Sequence, residues 1–157
     1  MKMKPRLHRL GRLFVDRPVY FITACIHNRM RLLSDPMIHE AFVEFSVAGL
    51  DRQCYVGRYV LMPDHLHVFA AFASAEQSSL TGMSAWVKAL KGYLSKRGRA
   101  QGIAAPHWQK GFFDHIMRSA ESYSDKWRYV AMNPVRAGLV PRWEDWPYQG
   151  EISRLSL

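Results

Sequence analysis

Hydrophobic positions along the chain switch between strand spacing and helix spacing. PVYFITACI (Pro18 to Ile26) is a run of aromatic and β-branched residues and predicts a strand. In SDPMIHEAFVEFSVAGLDRQ, capping residues precede a proline in the first turn, and Ile38, Ala41, Phe42 and Phe45 fall at i, i+3, i+4 and i+7. That spacing predicts an amphipathic helix. CYVGRYVLM and HLHVFAAF predict two strands, and Pro63 to His65 (PDH) is the only turn chemistry between them, so they pair as a tight hairpin. SSLTGMSAWVKALKGYLSKRGR predicts a second helix, with Met83, Trp86, Val87, Leu90 and Leu94 on one side. HWQKGFFDHIM predicts a fourth strand. SAESYSDKWRYVAMNP predicts a third helix that starts at Ser119 and ends near Asn133, because Pro134 disfavours helical geometry in the residue before it.

The order is β-α-β-β-α-β-α. Its first six elements match the ferredoxin-like split βαβ arrangement, an α+β fold with an antiparallel sheet and both main helices on one face. The third helix must then pack elsewhere, across or beside the sheet. One domain spanning 18–150 is expected, preceded by a basic arm (1–17) and followed by a short tail (151–157). A chain of 157 residues can bury a proper core as one domain.

Charge adds a direction. Lys and Arg total 22 against 13 Asp and Glu, a net charge of +9, which points to a polyanionic partner. The arm MKMKPRLHRLGR holds no acid; it either solubilises or lies along phosphates. From Gln77 to Phe113 there are six basic residues and no acidic one. Lys88, Lys91 and Arg97, on the polar side of the second helix, are candidate DNA contacts; a solvated face is the alternative. No window approaches the ~20 apolar residues of a membrane span, and no secretory signal follows the arm. Cys25 and Cys54 lie in apolar strand-like runs and read as reduced core thiols rather than as a metal site.

The candidate chemistry begins at His65 and His67. Side chains alternate along a strand, so both point to one face, roughly 7 Å apart along it. Two converging imidazoles can ligate one divalent ion if another element supplies a third ligand, though an H-x-H pair is also common by accident. On the third helix, Trp127 centres an apolar face with Ala120, Tyr123, Val130 and Ala131, whereas Tyr129 falls on the opposite side with Ser122 and Asn133. Tyr129 and Asn133 are i and i+4, about 6 Å apart. A phenol with a pKa of about 10 is a poor nucleophile at neutral pH. A cation held by His65, His67 and the Asn133 amide would offset this by neutralising a target phosphate. Mixed N/O ligation suits Mn²⁺ and Mg²⁺ and makes structural zinc a poor fit.

YVLMPDHLHVF, WQKGFFDHIMR and YVAMNPVRAGLV, in this order and spacing, resemble the REP-associated tyrosine transposases, relatives of the small single-tyrosine insertion-sequence transposases. These belong to the HUH class, whose two histidines flank a hydrophobic residue, here Leu66. The resemblance covers roughly 18–150, including PVYFITACIHNRM and DWPYQGE. It implies that Tyr129 is the nucleophile and that His65, His67 and Asn133 bind the metal. The implied substrate is single-stranded DNA beside a REP-like hairpin, cut to leave a 5′-phosphotyrosine and a free 3′-hydroxyl. A monomer acting in the bacterial cytoplasm on nucleoid DNA is implied as well; the insertion-sequence relatives are dimers. His115 fits the family pattern and either approaches the scissile phosphate or is structural. Asp64 either orients His65 or is a turn residue, and Arg118 and Arg136 are candidate phosphate contacts. His8, His27, His39 and His107 have no ligating spacing. The residues alone leave a second class open, a non-catalytic single-stranded DNA- or RNA-binding module of ferredoxin-like fold, since such sheets bind RNA through exposed aromatics and this chain is 13% aromatic.

Overall fold

The computed structural model describes residues 13–14, 18–72 and 82–157; most of the basic arm, 1–17, lies outside them. Its elements are β1 (Leu13–Phe14), β2 (Val19–Cys25), α1 (Pro36–Ala48), β3 (Tyr55–Leu61), β4 (His65–Ala71), α2 (Met83–Ala100), β5 (Phe113–Met117), α3 (Ala120–Ala131), the single turn α4 (Asn133–Arg136), β6 (Gln149–Glu151) and β7 (Leu155–Ser156). One five-stranded sheet runs β5-β2-β4-β3-β6, every pair antiparallel. The four expected strands thus stand in the spatial order fourth, first, third, second. No helix among the described residues is long and apolar enough to cross a membrane.

Local chemistry accounts for the element ends. The Asp35 carboxylate accepts from Met37 N (2.9 Å) and Ile38 N (3.1 Å), capping α1, and Pro36 opens it. Ser119 and Ser122 form a reciprocal capping box at the start of α3. α3 stops at Ala131, two residues short of the expected end, and Pro134 then sits inside the short turn α4. Pro tolerates a first helical turn because the N–H it lacks would be unpaired there.

Burial separates the two faces of the sheet. Ile22, Ala24, Leu66 and Val68 turn toward α1 and α2 and form one core with Phe42, Trp86, Leu90 and Leu94. Phe21, Phe69 and Ala71 turn the other way and pack with Tyr123, Val130 and Leu155. α3 therefore lies on the face opposite the two main helices, held by Tyr123 edge-on to Phe69 at 4.6 Å. Trp127 is only half-buried on that face, and Ala120, expected there, is exposed.

Four expectations are corrected. The fourth strand is five residues, Phe113–Met117; before it, only Trp108 bridges to Ile26. Residues 151–157 are not a loose tail: β6 extends the sheet beside β3, β7 pairs in parallel with β1, and Ile152, Ser153 and Leu155 are buried. Leu13 and Phe14 of the expected arm are consequently part of a second, two-stranded sheet. Cys25 and Cys54 are free thiols, but only Cys54 is buried.

Gly57 sits where the β3–β4 register breaks between Val56 and Tyr59, and its missing side chain lets α3 and β7 approach the sheet. A Cβ there would stand 2.8 Å from Leu155 Cδ1 and 2.9 Å from Tyr123 Oη. Gly57→Ala should therefore lower unfolding free energy by about 1–3 kcal/mol, the usual cost of overpacking, measured by denaturant titration. An unchanged midpoint would mean the two side chains move aside freely.

A candidate phosphate-transfer site on the α3 face

His65 and His67 begin β4, and they share the sheet face of Phe69 and Ala71, the face that α3 covers. Their ring centroids are 4.9 Å apart and nearly perpendicular. The tight turn before them is clamped by backbone bonds from Ile26 N to Asp64 O (2.8 Å) and from Leu32 N and Leu33 N to Pro63 O (2.9 and 3.1 Å). The pair therefore sits on a rigid hairpin rather than on a loop.

Each ring has its Nδ1 occupied. His65 Nδ1 lies 2.7 Å from Asp64 Oδ1, and His67 Nδ1 lies 2.8 Å from Thr23 Oγ1. A carboxylate only accepts, so His65 Nδ1 carries the proton and its Nε2 keeps a lone pair. The same tautomer follows for His67 when the threonine hydroxyl accepts. This is the arrangement by which outer partners set the ring orientation and basicity of metal-binding histidines. The second Asp64 oxygen is 3.6 Å from Arg29 Nη1. Asn28 and Arg29 both have φ of 54°, a left-handed backbone that non-glycine residues seldom adopt. The sequence reading missed Arg29; the only available sign was an Asn near a turn.

His67 is stacked on Phe21 at 5.1 Å between centroids. Burial first, and then the neighbouring His65 and Lys126, lower its pKa to about 3, so the ring is neutral at physiological pH. In the metal-free protein the unfolded chain takes up this proton below its ordinary value of 6.5 and the folded chain does not. Stability should be flat above about pH 7 and decline as pH falls from 6.5 toward 3, by up to a few kcal/mol. Denaturant titrations at pH 7.5 and 4.5 check this, and His67→Asn should flatten the difference; an equal slope in that variant would move the effect to another group.

Tyr129 lies on the side of α3 that faces β5. It is 63% exposed and shares an open cleft of about 540 Å³ with His115, Ser122, Asp125 and Lys126. His115 registers opposite Phe21 and so stands on the same sheet face as His67. Lys126 connects the parts: its Nζ is 4.9 Å from the Phe21 ring centroid and 5.9 Å from that of Tyr129. Arg136 packs its guanidinium 4.1 Å from the Tyr129 centroid, donates to the Tyr129 carbonyl at 2.7 Å and donates to Asn133 Oδ1. Arg136, expected as a phosphate contact, is thus spent on the Tyr129–Asn133 pair in this structure. Asn133 is half-buried at the head of α4, and its side-chain oxygen accepts from Arg136. Among the described residues no three His, Cys, Asp or Glu side chains cluster as a metal site.

The expected basic contacts divide. Arg118 is exposed between β5 and α3, on the rim of this region. Lys88, Lys91 and Arg97 belong to α2, across the sheet from the cleft. Lys91 donates to Gln109 O (3.0 Å) and Gly111 O (2.5 Å) and Arg97 pairs with Glu44 (3.2 Å); only Lys88 stands exposed. The structure does not bring these three to the histidine pair.

No protein-family model matches the chain. Over 140 residues it is 24% identical to a protein of Escherichia coli K12 named REP-associated tyrosine transposase, covering 87% of this chain and 78% of that one. A Haemophilus influenzae protein given the same name provisionally is 21% identical over 141 residues, covering 86% and 80%. Among solved structures, a REP-associated tyrosine transposase bound to a REP hairpin superposes with a TM-score of 0.66 at 23% identity, covering 89% of this chain and 80% of that one. A Deinococcus radiodurans protein provisionally described as a transposase gives 0.53 at 19% identity, covering 77% and 94%. The chain is thus a homologue of proteins named REP-associated tyrosine transposases and shares the fold of one of them.

Proposed function

We propose that this protein is a REP-associated tyrosine transposase that cuts and rejoins single-stranded DNA beside a REP-like hairpin, with Tyr129 as nucleophile. One observation carries the reading: an exposed tyrosine stands beside Lys126, whose ammonium lies over the Phe21 ring stacked on His67, so it opens onto the sheet face that bears a pair of histidines whose Nδ1 atoms are already engaged. The names of the homologues and the REP hairpin bound to the neighbouring structure support it. The strand order fourth, first, third, second supports a ferredoxin-like split βαβ sheet, with β6 added at one edge and α3 carrying the tyrosine on the face away from α1 and α2.

The step is a transesterification. Tyr129 Oη attacks the phosphorus and gives up its proton; the bond to the 3′-oxygen breaks, and that oxygen takes a proton. The products are a 5′-phosphotyrosine and a free 3′-hydroxyl. One phosphodiester replaces another, so an incoming 3′-hydroxyl can reverse the exchange and join a new end. His65 Nε2, His67 Nε2 and Asn133 Oδ1 would hold Mg²⁺ or Mn²⁺, which when bound supplies charge neutralisation and alignment of the phosphate. The histidines fit this role as they stand; Asn133 fits once Arg136 releases its oxygen. The reading takes the protein as a monomer with Tyr129 acting in cis. The reading places the protein in the cytoplasm, on bacterial DNA.

The deciding experiment is to incubate the protein with labelled single-stranded hairpin DNA and Mn²⁺ and to separate the products under denaturing conditions. A labelled complex that survives denaturant is expected. A binding module without chemistry would retain hairpin DNA in native gels and leave none.

A further inference from the structure

We propose that Lys126 binds the scissile phosphate, its ammonium pairing with a non-bridging oxygen between the histidine pair and Tyr129. This rests on the function proposed above and adds a residue that neither the motifs nor the sequence pattern marked.

Two observations place it. The Lys126 ammonium lies over the Phe21 ring at 4.9 Å, and Phe21 is in turn stacked on His67 at 5.1 Å. On its other side it stands 5.9 Å from the Tyr129 ring centroid, within the cleft that Tyr129 and His115 line. A phosphate positioned for attack by Tyr129 and shared with the histidines therefore passes this ammonium.

Lys126 has no carboxylate partner among the described residues. The adjacent Asp125, in the same cleft, is 3.8 Å from Arg128 Nη1 and turned to that pair. A half-buried cation held on aromatic faces, with no anion paired to it, is poised for a ligand's charge. Such a group helps most where negative charge grows on the phosphoryl oxygens during transfer. Without DNA the same charge has the opposite effect on the histidines, because it repels any dication they hold.

The two effects have opposite signs, and that separates a phosphate-binding role from simple packing over Phe21. Lys126→Met keeps the aliphatic stem on the ring and removes only the charge. The measurement is the single-turnover rate of adduct formation on hairpin DNA, together with Mn²⁺ affinity of the DNA-free protein by calorimetry. Lys126→Met should form adduct on the order of 10²-fold more slowly, the scale of losing one donor to developing charge. It should bind Mn²⁺ as tightly as the wild type or several-fold more tightly, with hairpin affinity reduced less than about tenfold, since one phosphate contact among several is lost. Lys126→Arg should recover most of the rate. A Lys126→Met adduct rate within threefold of the wild type would overturn the proposal. So would a rate loss matched by lost Mn²⁺ affinity, or an Lys126→Arg variant as slow as Lys126→Met. If the wild type itself gives no adduct, the function falls and this inference with it; a wild-type adduct untouched by Lys126→Met sinks the inference alone.

Discussion

Tyr129→Phe should form no covalent complex with hairpin DNA and should bind that DNA as the wild type does. The substitution removes one oxygen, and no hydrogen bond among the described residues engages it. What holds the side chain is its ring: the Arg136 guanidinium at 4.1 Å, the Lys126 ammonium at 5.9 Å, and the main-chain carbonyl that accepts from Arg136. Phenylalanine keeps all three, so stability should move by no more than about 0.5 kcal/mol. The lost hydroxyl is the nucleophile itself, so adduct formation should drop to background, at least about 10³-fold. Tyr123 is the internal control. It is buried on the same helix, its Oη takes a hydrogen bond from Arg58 N at 3.4 Å, and burial pushes its pKa up to about 12. Tyr123→Phe should lower stability and leave the adduct in place. Adduct from Tyr129→Phe, or its loss from Tyr123→Phe with a folded protein, would place the nucleophile elsewhere.

The contrast between these two tyrosines was legible in the sequence, because helical spacing puts Tyr123 with Trp127 and Tyr129 against it. The hairpin at PDH, the α1 face and the capped start of α3 were legible for the same reason: each is set by neighbours within a few residues. What failed to show depends on distant partners. β6 is three residues, Gln149–Glu151, too short to display alternation, and its strand character comes wholly from β3. The basic side of α2 was correctly read as polar, but a helical wheel does not say which face of a sheet a helix covers. Nor does it show that Lys91 would find carbonyls at Gln109 and Gly111. Lys126 escaped notice because its neighbour Phe21, and the His67 ring stacked on Phe21, lie on two strands distant in sequence. Asp64 was visible as a candidate beside His65; its tie to Arg29 depends on a left-handed backbone that no local pattern announces.

His65→Ala should abolish adduct formation and the response to Mn²⁺, and EDTA should do the same to the wild type. Asp64 fixes His65 in the tautomer a cation needs, and Thr23 does the same for His67 when its hydroxyl accepts. Removing one leaves at most two protein ligands and a phosphate charge that nothing else on the hairpin offsets. A loss of several orders of magnitude follows from forfeiting both charge neutralisation and alignment. His65 is the better test of the pair. His67 is stacked on Phe21 and bonded to Thr23, so deleting it also opens a void in the α3 face and confounds chemistry with folding. Asp64→Asn grades the argument: it keeps the shape and removes the charge that orients His65, so Mn²⁺ affinity should fall about 10–100-fold while saturating Mn²⁺ restores much of the adduct. Asn133→Ala should weaken Mn²⁺ binding too, but it also frees Arg136, so it is interpretable only beside the Asp64 variant. Full adduct yield from the wild type in EDTA would reduce the two histidines to strand residues and remove the metal from the mechanism, whatever becomes of Tyr129.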